Sequence, residues 1–506
     1  MSAPRCARAA TAANIAALPR APATSLAQRD SRVGDESTAG RVVRAVLCGA
    51  LLLGPSVLMF FSGGLQESAR NAAAITAWAL LAVAVLVGHP RWLPRRPPAF
   101  LAMGGLGALA TLVCLSGLWA PLAGPALDDR VRLALYLATF LIAVSAWPSR
   151  QAARRAEPAF AAGALAAVGY GLSERLLPDL VALDRNLSAS NLLEQPLNYW
   201  NALGALAAIG IVLCARLVGD VTRPPGMRSA GAAALAPLGA GLILTQSRGA
   251  VAALAAGLAA LVLLAPERRQ LRAAFLALAA AGSGALAAIP LPAVRDLQGT
   301  MADRRLQGLL LLTVLILLAV GSVLIEHRAV SARGRNALPR PSRALAPLAV
   351  VALVAVLVPA LAGGGGRGVG GNRDEYWAVA VGTFADHPLL GAGAGAFVVE
   401  WSREREIEES VQDAHSLYLE TAAELGILGL LALGVCFAGV IAAGRGAHRV
   451  DPALATGPCA VLSFFAVHAA VDWDWEVPAL AMPVLVMAGL LIWREGVLPL
   501  SGQRAD

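Results

Sequence analysis

Long apolar blocks alternate with short polar connections along most of the chain. They fall near 43–61, 72–88, 100–119, 131–147, 159–176, 201–217, 229–245, 249–264, 273–289, 309–325, 344–362, 427–443, 457–472 and 477–493. A helix needs about 20 apolar residues to cross a hydrocarbon core, with about 17–25 usual. The pattern therefore predicts an all-α, polytopic transmembrane bundle of about 12–14 spans. One polar stretch interrupts it at length, residues 363–426, and a smaller one lies at 177–200. The chain divides accordingly into a polar tail (1–42), a helical part with short loops (43–362), the large loop (363–426), C-terminal helices (427–493) and a final tail (494–506). A membrane protein that keeps one such loop is expected to do its chemistry there.

Composition agrees with the pattern: 57% of residues are hydrophobic and 15% charged, against about 45–50% apolar and about 25% charged in soluble domains. All basic residues are arginine, which removes Schiff-base chemistry and any P-loop lysine. The six cysteines show no CxxC or Cys/His ligand spacing, so neither zinc nor a disulfide framework is expected. Residues 1–40 lack an apolar h-region and are read as a disordered cytoplasmic tail, with the first span as an uncleaved anchor. Arginines cluster in alternate connections: Arg91, Arg95 and Arg96; Arg150, Arg154 and Arg155; Arg223 and Arg228; Arg268, Arg269 and Arg272; and Arg328, Arg333, Arg335, Arg340 and Arg343. The positive-inside rule then puts both termini in the cytoplasm and the 363–426 loop outside the plasma (inner) membrane. Arg295, Arg304 and Arg305 run against the trend.

Within the loop, Gly363–Gly366 and Gly368–Gly371 make a flexible lead-in. Asn372, with Glu375 three residues on, reads as a capping-box-like start. That helix should run to about Asp386 and stop before Pro388, with Arg373, Trp377, Ala380 and Phe384 on one face. A second helix is expected over about 411–425, placing His415, Tyr418, Ala422 and Leu425 together. Gly391, Gly393 and Gly395 lack the strand and spacing of a dinucleotide fingerprint, and either let the backbone approach a ligand or pack.

Several motifs in this order carry a resemblance. Arg373-x-x-x-Trp377, His387-Pro-Leu-Leu-Gly-Ala-Gly393, Ala414-His-Ser-x-Tyr418-Leu-Glu420 and Glu424-Leu-Gly-Ile-Leu-Gly429 lie in and just beyond the loop. Phe61-Ser-Gly-Gly64, Gln195-Pro-Leu-Asn-Tyr-Trp-Asn-Ala-Leu-Gly204, Thr245-Gln-Ser-Arg-Gly249 and Val467-His-Ala-Ala-Val-Asp472 lie elsewhere. Together, over roughly residues 45–495, they resemble the O-antigen ligase family. Ser416 departs from the pattern, since many members carry Asn after the histidine.

The resemblance implies transfer of a glycan from a polyprenyl-diphosphate donor to an acceptor hydroxyl at the outer face. It implies no metal, no cofactor and no nucleic-acid partner; the partners are the two substrates and membrane lipids. Arg373 and Arg248 are the diphosphate candidates, because a guanidinium matches phosphate oxygens with a planar fork and stays charged. The competing readings are a solvated first-turn residue for Arg373 and interfacial snorkelling for Arg248. His415 is the candidate base, since imidazole titrates near neutrality. Trp377, Asn201, Tyr418, Gly391 and Gly393 are candidate substrate contacts, although Asn201 could simply cap a helix. Tyr199 and Trp200 read as an interfacial aromatic belt. His468 and Asp472 are candidate supporting residues, as a structural His–Asp pair or as substrate contacts. His387 reads as a helix terminator. Asp374, Glu375, Glu400, Glu404, Glu406, Glu408, Glu409 and Asp413 form an acidic surface; a metal site is conceivable, but their spacing fits no particular ligand loop and they read as a solvated face. A polymerase of the same family shares the motif order. A multispan transporter or flippase is the rival from another class, and would show internal pseudo-symmetry.

Overall fold

The computed structural model describes residues 38–87, 96–184, 191–331 and 372–496. Regular structure among these residues is helical throughout, with no strand. The long helices are α1 (Thr38–Met59), α2 (Glu67–Leu86), α3 (Pro97–Ser116), α4 (Ala123–Ser145), α5 (Ala156–Leu176), α6 (Trp200–Gly219), α7 (Pro225–Thr245), α8 (Arg248–Leu264), α9 (Arg268–Ala288) and α10 (Met301–Ser331). After them come α11 (Arg373–Asp386), α12 (Phe397–Glu404), α13 (Leu417–Val450), α14 (Pro452–His468) and α15 (Pro478–Gly496).

Among the described residues, nine helices are long and apolar enough to cross a membrane: α1, α2, α3, α6, α7, α9, α10, α13 and α15. Helices α8 and α14 are apolar but only 17 residues long. Helices α4 and α5 occupy two more of the expected spans and carry ionisable groups such as Asp129, Arg132, Glu157 and Arg175. The expected span at 344–362, the glycine lead-in at 363–371 and most of both tails lie outside the described residues.

Helix α6 is the axis, buried along almost its whole length, whereas α2 and α10 turn most of their surface outward. Small residues let neighbours approach closely, as the absence of an oil–water driving force between spans requires. A Cβ at Gly105 of α3 would sit 2.4 Å from the Cys436 backbone nitrogen of α13, and one at Gly239 of α7 would sit 2.0 Å from the Ala281 carbonyl of α9.

The two ends of the bundle differ. At one, arginines from helix ends and connections are neutralised in pairs. Arg154, Arg216 and Arg223 surround Asp220 and Glu157. Arg228 meets Glu326, Arg96 meets Glu495, and Arg150 and Arg494 share Asp451. Arg96, Arg150, Arg154, Arg223 and Arg228, from the arginine-rich connections, thus lie together. Most are held in ion pairs rather than standing on a solvated surface.

At the other end the polar segments converge. Arg175 donates to the Val294, Arg295 and Asn191 carbonyls, and the Leu193 N–H donates to Leu244 O. The Leu417 N–H donates to Ala469 O at 2.8 Å. The loop between α11 and α13 differs from expectation in two places. An additional short helix, α12, packs Phe397 and Trp401 inside. Helix α13 starts at Leu417 rather than near 411, because Ser416 occupies the N-cap and its Oγ accepts from the Leu419 N–H at 3.4 Å. Asn caps as well as Ser does, so Ser416 keeps the local geometry that Asn provides. Helix α13 then breaks at Gly426 (φ 62°, ψ −158°), where the chain around Leu389 lies against it, before running on to Val450.

Candidate active site

Three chain segments distant in sequence meet at the polar end. The first turn of α11 carries Arg373, the turn after α14 carries Asp472 and Trp473, and the start of α6 carries Tyr199 and Asn201. Arg373 donates through Nη2 to Asp472 Oδ2 at 2.8 Å. Asp472 is fully buried, and its other oxygen accepts from Tyr199 Oη at 2.5 Å and from the Trp473 N–H at 2.9 Å. Asn201 Nδ2 donates to Tyr199 Oη at 2.8 Å. A buried carboxylate with this set of donors holds its guanidinium in one orientation.

His415 stands beside this group. Its ring centroid is 5.2 Å from that of Tyr376 on α11 and 6.0 Å from that of Trp473. Trp473 packs in turn on Tyr199 at 4.5 Å. His415 Nδ1 lies 3.0 Å from the Asp413 carbonyl oxygen. A carbonyl can only accept, so Nδ1 carries the proton and Nε2 is left as the basic nitrogen. Burial lowers the imidazole pKa, against the opposing pull of Asp472 and of the bond to Asp413. Burial thus favours the neutral ring. His415 also has φ 53°, in the left-handed region that non-glycine residues enter at a cost and that concentrates at functional sites.

Arg248 opens α8, whose N-cap Ser247 accepts from the Ala250 N–H at 3.3 Å. The preceding Gln246 takes φ 53°, turning the chain sharply between α7 and α8. The next residue, Gly249, packs against His468: a Cβ there would lie 3.3 Å from His468 Nε2. Arg248 is thus delivered to the same end of the bundle as Arg373.

Several expectations resolve differently. His468 pairs with Asp474, at 2.6 Å, and not with Asp472, which serves Arg373 and Tyr199. Asn201 lies inside the first turn of α6, whose N-cap position is Tyr199, so it is no cap. Tyr199 is buried in the hydrogen-bonded group rather than in a membrane-surface belt. Asn372 holds the N-cap position of α11, but its side chain reaches Glu409 Oε2 at 2.7 Å and makes no capping bond. Tyr418 Oη donates to Ala466 O at 2.8 Å, tying α13 to α14. Trp377 is half-buried on α11, with its indole nitrogen lacking a hydrogen-bond partner. His387 ends α11, as expected.

The loop glycines pack on the chain itself. Gly391 and Gly393 have φ 69° and 107°. A Cβ on Gly391 would fall 2.2 Å from the Glu424 carbonyl carbon, and one on Gly393 would fall 2.6 Å from Ala120 Cα. The Ala392 and Gly393 N–H groups donate to the Ala423 and Glu424 carbonyls, each at 2.9 Å. This geometry favours packing over ligand approach for both.

Asp413, read from the sequence as part of a solvated acidic face, instead gathers with two carboxylates that its spacing did not join to it. Asp413, Glu420 and Glu476 bring carboxylate oxygens within 4.8 Å of one another, an arrangement that could hold a cation. Arg132 lies 3.5 Å from Glu476 and also pairs with Asp129. Burial, with Asp129 and Asp472 nearby, pushes the Asp413 carboxyl up to about 7 despite Arg132. Glu420 sits in the α13 motif and Glu476 in a Trp-rich turn, but nothing in their spacing announces that they meet.

Residues 233–434 match the family model described as Wzy_C, O-Antigen ligase. The match takes in Arg248, Arg373, Trp377, Gly391, Gly393, His415 and Tyr418, and leaves Asn201, His468 and Asp472 outside. No curated protein matches the chain. A segment that matches the O-antigen ligase model thus lies within a multispan helical fold, which points to a multipass membrane protein and suggests a glycan-transferring enzyme.

Proposed function

We propose that the protein transfers a glycan from a polyprenyl-diphosphate donor to an acceptor hydroxyl, at the outer face of the plasma membrane. The observation that carries this reading is Arg373, held by buried Asp472, near His415, which packs on Trp473 beside that carboxylate and whose Nε2 is the basic nitrogen. Arg373 binds the diphosphate, and Arg248 joins it from the start of α8. Fixed cations facing charge that grows on a leaving group are commonly the largest catalytic contribution.

In the reaction, the acceptor oxygen attacks the anomeric carbon while His415 Nε2 takes the hydroxyl proton. A new glycosidic C–O bond forms, and the anomeric carbon–phosphate oxygen bond breaks. The electron pair leaves on the polyprenyl diphosphate, already paired with arginine, so no enzyme acid is needed. Direct displacement inverts the anomeric centre. Asp472 and Tyr199 act as positioning residues for Arg373.

The test uses purified protein in liposomes with a polyprenyl-diphosphate glycan and an acceptor fraction from the same cells. Wild type should release polyprenyl diphosphate, and His415→Ala and Arg373→Ala should not, while both remain folded. Product length then separates a ligase from a polymerase. Movement of the lipid across the bilayer without release would replace this reading with a flippase.

A further inference from the structure

A cavity opens at the same end of the bundle, beside the Gln195–Asn201 stretch. It has a volume of about 340 Å³ and is lined by Phe60, Ser62, Tyr170, Asp184, Gln195, Pro196 and Asn198. That volume lies within the range of about 300–1,000 Å³ usual for small-molecule sites. Asn198 has φ 59°, a left-handed conformation that Asn tolerates. It turns its amide towards Ser62, while the next residue, Tyr199, reaches Asp472.

The polar groups of this cavity are set by one another. Ser62 Oγ accepts from Asn198 Nδ2 at 2.8 Å and from Gln66 Nε2 at 3.0 Å. Both hydroxyl lone pairs are thereby used, and the O–H remains as a donor. Gln195 Nε2 donates to the Asp184 carbonyl at 2.6 Å and to Asn198 Oδ1. Both of its N–H bonds are spent, which leaves Oε1 as an acceptor, and Asp184 adds a carboxylate to the same lining. In the same lining, Phe60 and Tyr170 meet edge to face at 5.5 Å and are both partly exposed. The wall is anchored from behind, since Arg175 donates to Asn191 O and the Leu193 N–H donates to Leu244 O.

From this arrangement we infer that the cavity is a saccharide subsite, taking a sugar unit of one of the two glycan substrates. The Ser62 donor, the Gln195 acceptor and the Asp184 carboxylate suit sugar hydroxyls, and the aromatic pair suits the apolar C–H face of a pyranose. Among the described lining residues the one charged group is the Asp184 carboxylate, which suits a sugar hydroxyl donor. The role given to the sugar rests on the transferase reading above. Because Asn198 and Tyr199 are adjacent, this subsite and the Arg373–Asp472 pair are coupled through one short backbone segment.

The experiment measures the KM of donor and acceptor separately in liposomes for wild type, Tyr170→Ala, Tyr170→Phe and Asp184→Asn. Saturation-transfer NMR is run alongside, using the oligosaccharide released by mild acid from the cells' lipid-linked fraction. Tyr170→Ala and Asp184→Asn should raise one of the two KM values at least tenfold with kcat changed less than threefold. Tyr170→Phe, which keeps the ring, should stay near wild type. Which KM moves identifies the glycan that occupies the site. Unchanged KM values together with unchanged transfer signals would overturn the inference. Absence of polyprenyl diphosphate release by wild type would instead overturn the transferase reading. The subsite would then stand or fall on whether the oligosaccharide signal seen with wild type is lost in Tyr170→Ala.

Discussion

Arg373 and Asp472 are 99 residues apart in the chain and 2.8 Å apart in space. The pair pins the loop helix α11 to the turn that follows α14. Asp472 sits outside the family-matched segment, yet it decides where the guanidinium within that segment points.

Replacing Asp472 by Ala should therefore damage both stability and turnover. Breaking a buried ion pair by removing one partner costs about 3–5 kcal/mol, and Tyr199 Oη loses its acceptor as well. Thermal unfolding in detergent should show a clear drop in Tm, and release of polyprenyl diphosphate should fall at least tenfold. Asp472→Asn, which keeps the shape, should retain more stability but not the activity. Wild-type behaviour in both variants would remove Asp472 from the site.

His415 gives a prediction with a sign. The base works when neutral, and burial lowers its pKa. Activity is thus present above that value and lost as pH falls through it, so the acid limb of kcat/KM should lie below the usual histidine value of about 6.5. His415→Ala should lower kcat by about 10²–10⁴-fold and abolish that limb. Since φ is 53°, His415→Gly should be equally inactive yet more stable than His415→Ala, by about 1 kcal/mol. An acid limb that survives in His415→Ala would assign the titration to another group.

Gly391 and Gly393 should respond to Ala through folding rather than substrate affinity. Each combines positive φ with backbone closer than any real Cβ contact. Gly391→Ala and Gly393→Ala should cut the yield of folded protein, whereas the fraction that folds should keep a normal donor KM. A raised KM in stable protein would restore these glycines as ligand contacts.

Asp413 predicts a stability profile. Its folded pKa, raised to about 7, exceeds the unfolded value of about 3.9, so its contribution is fully present below the latter. That contribution is lost as pH rises through about 7. Asp413→Asn should flatten this decline and unfold at a higher temperature than wild type at pH 8. Titration by Ca²⁺ or Mn²⁺ in the same assay reports whether Asp413, Glu420 and Glu476 hold a cation: a metal-dependent rise in Tm should then vanish in Glu476→Gln.

The helical class, most of the span positions and the loop helix from Arg373 to Asp386 follow from the sequence, because apolar blocks of bilayer length and a proline stop are local signals. So does the candidacy of Arg373, Arg248 and His415, which stand in ordered motifs. The sequence does not show that Asp472 belongs to Arg373 and Asp474 to His468, nor that Tyr199 is buried in the site rather than at the bilayer surface. Nor does it show that four chain segments, around Phe60, Tyr170, Asp184 and Gln195, line one cavity. Those facts depend on how helix ends are brought together by packing many residues away, and on backbone reversals at Asn198, Gln246 and His415 that spacing alone does not encode. Local hydropathy determines which segments become helices; the close crossings of small residues determine which polar ends meet.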